Sequence, residues 1–95
     1  MTDLEQVRTI VLEGLRGHPA RVYLFGSWAR GKARRISDMD VGILPLEPLP
    51  PGLLLDLQEA LENSDVLYQV DLVDLTSAYG PLRDWVLSEG VLWSG

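Results

Sequence analysis

The stretch "FGSWARGKARRISDMDVGIL", residues Phe25 to Leu44, decides how this chain is interpreted. It leaves a hydrophobic strand through Gly-Ser, passes through a basic run, and places Asp38 and Asp40 at the mouth of another hydrophobic strand. If the chain is extended there, both carboxylates lie on the same face. Two like charges side by side repel each other and destabilise the folded state. We therefore expect a cation to lie between them.

The length and composition limit the possible classes of protein. The chain has 95 residues and no cysteine. This length favours a single domain, residues 1–95, with one hydrophobic core. The lack of cysteine excludes disulfides and thiolate metal sites and fits a reducing cytoplasm. The beginning of the chain, "MTDLEQVRT", has no signal-peptide pattern, and no apolar run approaches the ~20 residues that span a bilayer. We expect a cytoplasmic protein without a membrane segment.

The charge of the chain is unevenly distributed. The formal net charge is −6 and the pI is about 4.5, which argues against a general nucleic-acid binder. Within this acidic chain, a basic cluster is formed by Arg30, Lys32, Arg34 and Arg35. Such a local patch suits a small anion better than a long phosphate backbone. A solvated helix face with a few ion pairs is the alternative interpretation.

Hydrophobic patterning predicts the element order α-β-α-β-α-β-α. Thr2 and Glu5 have the spacing of a capping box at the start of the first helix. The predicted helices cover 2–16, about 28–34, 53–63 and 81–90, and the predicted strands cover 21–25, 39–46 and part of 66–75. Prolines in 45–52 exclude helix and central strand there. This order predicts an α/β (α+β type) fold of two layers, a small mixed sheet flanked by helices.

Three aspartates interrupt the apolar strands. Asp38 and Asp40 complete the pattern G-S-x10-D-x-D, and Asp71 lies between Val70 and Leu72 in the third strand. Carboxylate oxygens are hard ligands that suit Mg2+ or Mn2+, and two such ions ~3.5–4 Å apart can clamp an in-line phosphoryl displacement. We expect Asp38, Asp40 and Asp71 to be the metal ligands and catalytic residues. Asp74 is three positions from Asp71 and faces the other side of a regular strand.

The Gly-Ser turn adds a site for phosphate. Gly26 lets a phosphate approach the backbone closely, and the following helix presents free N–H groups at its N-terminus. The Ser27 hydroxyl supplies another donor, and Arg30 supplies countercharge, as Lys32 or Arg34 could. These residues predict that Gly26, Ser27 and Arg30 bind the triphosphate of ATP or another nucleoside triphosphate.

Each of these features also has an ordinary structural explanation. Gly-Ser is common as a turn with a helix cap, Asp38 could pair with Arg34 or Arg35, and Asp71 could face solvent on an edge strand. To exclude a functional site, all of these explanations would have to be true at once. They would also have to account for aspartates that interrupt otherwise apolar strands. Their joint occurrence favours a metal–nucleotide site.

The same run, with "VDLVDL" and "VLSEGVLW" further on, resembles the minimal nucleotidyltransferases of the DNA polymerase β-like superfamily over nearly the whole chain. Gly26 and Ser27 match the family's phosphate-binding turn, Asp38 and Asp40 its paired metal ligands, and Asp71 its third carboxylate. The resemblance implies a mixed sheet flanked by helices and nucleotidyl transfer with two Mg2+ ions, for which Mn2+ could substitute.

The resemblance also implies a biological context. Short members of this family pair with HEPN-domain proteins as toxin–antitoxin systems, and the nucleotidyltransferase can transfer AMP from ATP to a tyrosine of its partner. Our leading hypothesis is therefore an antitoxin that modifies a hydroxyl of a HEPN-domain partner, with Asp71 favoured as the proton acceptor. Transfer to the 3′ end of an RNA, transfer to a small molecule, or a non-catalytic module that neutralises a partner by contact are the alternatives.

The active cleft of so short a transferase needs a wall from another chain. We expect this wall to come from a second copy or from the acceptor protein, since transfer chemistry requires the exclusion of water. The apolar tail from Val91 to Trp93 is the predicted contact surface, because aromatic residues are enriched at interfaces.

Overall fold

The computed structural model describes residues 2–26, 39–66, 68–78 and 80–94. Its elements in chain order are α1 (Asp3–Gly14), β1 (Ala20–Phe25), β2 (Met39–Pro45), α2 (Leu53–Glu62), β3 (Val70–Asp74), α3 (Gly80–Glu89) and β4 (Val91–Ser94). These helices and strands confirm the predicted fold class. The helix predicted over 28–34 lies outside the described residues. Within them, none of the helices is long and apolar enough to cross a membrane.

Helix α1 begins where the sequence predicts. The Thr2 hydroxyl accepts a hydrogen bond from the Glu5 N–H at 3.2 Å, and the Glu5 carboxylate accepts one from the Thr2 N–H at 3.4 Å. This reciprocal capping box satisfies two backbone donors that have no partner inside the helix.

The sheet is mixed, as predicted, and has the strand order β3-β2-β1-β4. Strand β1 is antiparallel to both β2 and β4, whereas β2 and β3 are parallel. The last residue of β1, Phe25, pairs with Asp40 near the start of β2, and Asp40 pairs with Asp71 near the start of β3. One end of the sheet therefore collects the end of β1 and the beginnings of β2 and β3. We call it the aspartate end.

Strand β4 was missing from the sequence prediction, which assigned no structure to the last five residues. It pairs with β1, with a shift of register between Val22 and Tyr23. Gly90 allows the chain to turn directly from α3 into this strand, because a Cβ there would lie 2.5 Å from the Val86 carbonyl oxygen and 3.3 Å from Tyr23 Cβ. The partner of β4 is almost 70 residues away in sequence, so local patterning did not reveal it.

The main core lies between the sheet and the helices α1 and α2. Alternate residues of β1 and β2 face it, and Val7, Val11 and Leu57 from the helices complete it. Its buried members are Val7, Val11, Leu15, Val22, Leu24, Met39, Val41, Ile43, Leu57, Leu61 and Val70. Trp93 of β4 is half-buried against this same cluster.

A smaller core lies on the opposite face of the sheet, under α3. Tyr23 and Phe25 point to this side, since side chains alternate along a strand. Phe25 meets Trp85 of α3 edge to face, with ring centroids 6.0 Å apart, and Val86 is fully buried. Helices thus flank both faces, which adds a layer to the two that were predicted. Helix α3 packs mainly on β1, and Asp71 near the start of β3 is exposed.

Candidate functional site

Asp40 and Asp71 stand side by side at the aspartate end. They are Cα partners on the adjacent parallel strands β2 and β3, which lie about 4.8 Å apart. The neighbours Met39 and Val41 of Asp40 are buried in the main core, so its side chain lies on the opposite face, the face of α3. Asp71 lies on that same face. Asp40 is half-buried and Asp71 is exposed, so the pair is open to solvent.

Gly26 lies directly against the Asp40 carboxylate. A Cβ at this position would lie 2.5 Å from Asp40 Oδ2, and the Gly26 φ of 76° is in the left-handed region. Both the space and the backbone conformation therefore require glycine. The turn that leaves β1 is thus fitted to the carboxylate at the start of β2.

The structure brings together three of the predicted site residues, Gly26, Asp40 and Asp71. The other three, Ser27, Arg30 and Asp38, lie outside the described residues, as do the remaining basic residues of the cluster. Within the described ranges, no group of three or more potential metal-ligating side chains is found. The third ligand that the sequence predicts beside this pair is Asp38.

The Asp40–Asp71 pair has the chemistry to hold a divalent cation. Two carboxylates on neighbouring strands and one face supply hard oxygen donors with access from solvent. Their mutual repulsion is relieved when a cation lies between them. The donors are of the type that Mg2+ and Mn2+ prefer, so these residues fit the metal that the sequence pattern predicts.

Asp74 takes no part in this site, in agreement with the sequence analysis. It ends β3 at the far end of the sheet, where its carboxylate accepts hydrogen bonds from the Thr76 N–H at 2.9 Å and the Thr76 hydroxyl at 2.6 Å. It also lines a cleft of about 660 Å³ formed largely by prolines and leucines from the end of β2, the loop after it and the first turn of α2. This cleft is remote from the aspartate end and carries no convergent set of catalytic groups.

Gln58 of α2 is a residue near the site that the sequence analysis missed. Its side-chain amide donates to the Val70 carbonyl at 2.7 Å, and its amide oxygen accepts from the Leu72 N–H at 3.3 Å. The two hydrogen bonds bracket Asp71. In the sequence, Gln58 is only a polar position of an amphipathic helix, so no signal pointed to it.

The comparisons with known proteins establish the family. The model of the family described as "Polymerase beta, Nucleotidyltransferase" matches residues 11–93. This chain therefore belongs to the polymerase beta nucleotidyltransferase family, as the sequence resemblance implied.

The relatives narrow the class further. The chain is 38% identical over 82 residues to "Probable protein adenylyltransferase MntA" of Haemophilus influenzae, an alignment that covers 86% of this chain and 70% of that protein. A crystal structure of a toxin–antitoxin with AMP-PNP superposes with a TM-score of 0.73 at 32% identity, covering 93% of this chain and 73% of the other. The chain is thus a nucleotidyltransferase homologous to the MntA protein adenylyltransferases.

A further solved structure contains both members of a toxin–antitoxin pair. It is a tri-AMPylated HEPN toxin of Shewanella oneidensis in complex with an MNT antitoxin. The similarity has a TM-score of 0.66 at 28% identity and covers 96% of this chain and 71% of that chain.

Proposed function

We propose that this chain is the antitoxin of a HEPN/MNT pair and transfers AMP from ATP to a hydroxyl of its HEPN-domain partner. The observation that carries the proposal is the pairing of Asp40 with Asp71 beside the glycine turn at Gly26. The homology to MntA adenylyltransferases supports the reaction, and the AMPylated HEPN toxin bound to an MNT antitoxin supports the acceptor. The complex with AMP-PNP supports an adenine nucleotide as donor.

The proposed roles follow from the position of each residue. Asp40 and Asp71, with Asp38 from the sequence motif, would hold two Mg2+ ions, for which Mn2+ could substitute. Gly26, Ser27 and Arg30 are assigned to the triphosphate from the sequence motif, since a glycine lets a phosphate approach the backbone closely. Bound divalent ions supply charge neutralisation on the phosphates and activation of the attacking oxygen.

The reaction is a substitution at the α-phosphorus of ATP. The acceptor oxygen forms a new bond to the α-phosphorus. The bond between the α-phosphorus and the oxygen that bridges it to the β-phosphate breaks, and pyrophosphate leaves. The acceptor hydroxyl gives up its proton to a carboxylate of the site. We assign this role to Asp71, since it is exposed at the sheet end and an incoming side chain can reach it.

A further part of this proposal is that the acceptor protein, or a second copy of the chain, packs against the site during transfer. Helix α3 packs mainly on β1 and Asp71 is exposed, which supports access of an incoming chain to the start of β3. We place the reaction in the cytoplasm, where ATP and a partner protein are both available.

Label transfer tests the proposal. The chain is incubated with Mg2+, lysate of the source cells, and ATP labelled on either the α- or the γ-phosphate. We expect a labelled macromolecule only with the α-label, sensitive to protease and resistant to ribonuclease, and absent with the Asp40→Asn variant. Transfer of the γ-label would indicate a kinase. A ribonuclease-sensitive or small-molecule product would contradict the protein acceptor, and no transfer at all would contradict the enzyme.

A further inference from the structure

Among the described residues, the side chain of Gln58 bonds to the outer edge of β3 on both sides of Asp71. In the sheet formed by the described residues this strand lies at the edge, so no described strand pairs with the backbone groups on its outer side. The Gln58 amide occupies that place: its NH2 group bonds to the Val70 carbonyl at 2.7 Å and its oxygen to the Leu72 N–H at 3.3 Å. A primary amide presents a donor and an acceptor side by side, as a peptide unit of an adjacent strand does.

The residue between these two hydrogen bonds is Asp71. Its side chain is exposed, so little side-chain packing holds it in place, and its position follows the backbone of β3. On the inner side, β3 is held by its pairing with β2, which puts Asp71 opposite Asp40. On the outer side, the described structure holds Val70 and Leu72 through Gln58.

Helix α2 gives Gln58 a fixed base. Its neighbours Leu57 and Leu61 are buried in the main core, with only 4% of each exposed. The amide is therefore attached to a helix that cannot shift without disturbing the packing against α1 and the sheet.

We propose that Gln58 is a positioning residue, which keeps Asp71 opposite Asp40 by bonding to the backbone on either side of it. The inference rests on the proposed function, because it assigns Asp71 to the metal site. Without the amide, β3 keeps its pairing with β2 and its core packing but loses these two hydrogen bonds on its outer side, and the carboxylate pair spends less time in the arrangement that binds a cation. When a residue that hydrogen-bonds to a metal ligand is replaced, the metal affinity typically falls by about 10–100-fold.

Metal affinity, measured without any reaction, tests this inference. Mn2+ binding to the complete chain is followed by electron paramagnetic resonance in the presence of a non-hydrolysable ATP analogue. We expect Gln58→Leu, which removes both hydrogen bonds, to weaken Mn2+ binding by about tenfold. Gln58→Glu keeps an acceptor for Leu72 but loses the donor to Val70 and sets a negative charge beside that carbonyl. Gln58→Glu should therefore also weaken Mn2+ binding. If Gln58→Leu does not fold, the Mn2+ affinity of Gln58→Glu tests the positioning role.

A matched control separates positioning from general stability. Leu61→Val creates a small defect in the core contact of the same helix and is expected to lower the melting temperature with less than a twofold change in Mn2+ affinity. Hydrogen exchange of the Leu72 amide should accelerate in Gln58→Leu but not in Leu61→Val.

The outcomes distinguish this inference from the proposed function. If Asp71→Asn weakens Mn2+ binding but folded Gln58→Leu and Gln58→Glu bind Mn2+ as the wild type does, the positioning role is wrong and the metal site stands. An equal loss in Leu61→Val would likewise overturn the positioning role. If Asp71→Asn leaves Mn2+ binding unchanged, both the metal site and the inference built on it are wrong.

Discussion

Asp40 and Asp71 are directly opposite each other on two parallel strands, near the beginning of each. This arrangement depends on the mixed topology, because β1 runs antiparallel to β2 and ends where β2 and β3 begin. The glycine turn that follows β1 is thereby placed against the carboxylate of Asp40. The turn that we propose to bind phosphate and the carboxylate pair that we propose to bind metal thus lie at the same end of the four-stranded sheet.

Replacement of Gly26 by alanine should damage both stability and the site. The left-handed backbone costs a non-glycine residue about 1–2 kcal/mol, and the new Cβ would also displace the Asp40 carboxylate. Gly17→Ala is the matched control, since Gly17 has φ 81° but a Cβ there meets no atom within 4 Å. Urea unfolding should show a larger loss for Gly26→Ala, which should also lose ATP binding in calorimetry. Equal losses of stability and intact ATP binding would contradict the close contact with Asp40.

Replacement of Asp71 by asparagine should spare the fold and impair the metal site. Asp71 is exposed and the change relieves repulsion with Asp40, so we expect the melting temperature in EDTA to equal or slightly exceed that of the wild type. The stabilisation that Mg2+ and ATP give the wild type should largely disappear. Asp74→Asn is the control: it makes the same charge change about 10 Å along the strand and retains an acceptor for Thr76. A marked loss of stability in EDTA for Asp71→Asn would favour a structural role.

The tail from Val91 to Trp93 contains two different kinds of residue. Trp93 is half-buried against the main core, and its carbonyl accepts a 3.5 Å hydrogen bond from Arg8, whereas Leu92 is 53% exposed. We expect Trp93→Ala to lower the free energy of unfolding by about 1–3 kcal/mol. Leu92→Asp should leave the stability nearly unchanged and weaken the association with the partner, as measured by sedimentation.

Within the tail, the predicted contact with a partner chain is therefore assigned to the exposed Leu92 and no longer to Trp93. Unchanged association of Leu92→Asp, in a sedimentation experiment where the wild type does associate, would place the partner surface elsewhere than β4. A Trp93→Ala variant with wild-type stability would contradict the packing of this tryptophan against α1 and the sheet.

The sequence predicts those parts of the fold whose signals are local. The capping box at Thr2 and the apolar strand that contains Asp40 are properties of adjacent residues, and both are found where expected. The pairing of Asp71 with Asp40 could be anticipated as well, since both interrupt apolar strands of one small sheet. The direction of β2 relative to β1 could not, because a short link permits either pairing.

The features that escaped prediction depend on partners distant in sequence. Strand β4 forms by pairing with the side of β1 that β2 does not occupy. Gln58 can bond to the backbone of β3 because β3 lies at the opposite edge of the sheet. The four residues of β4 and the single residue Gln58 of α2 do not by themselves show which strand they contact. The sequence predicts that Leu82, Trp85 and Val86 of the last helix face a core, and they do. It does not show that α3 packs on the face of the sheet opposite α1 and α2, because that depends on how the strands assemble.

The most direct test of the proposed function is to locate the transferred group by peptide mass spectrometry. The chain is incubated with ATP, Mg2+ and a purified HEPN-domain protein from the same source cells, and the peptides of that protein are sequenced. The predicted result is AMP joined to a side-chain hydroxyl of the partner, with no adduct when Asp40→Asn replaces the wild-type chain. An unmodified partner, or the same adduct formed by Asp40→Asn, would contradict the assignment of the aspartate end as the site of adenylyl transfer.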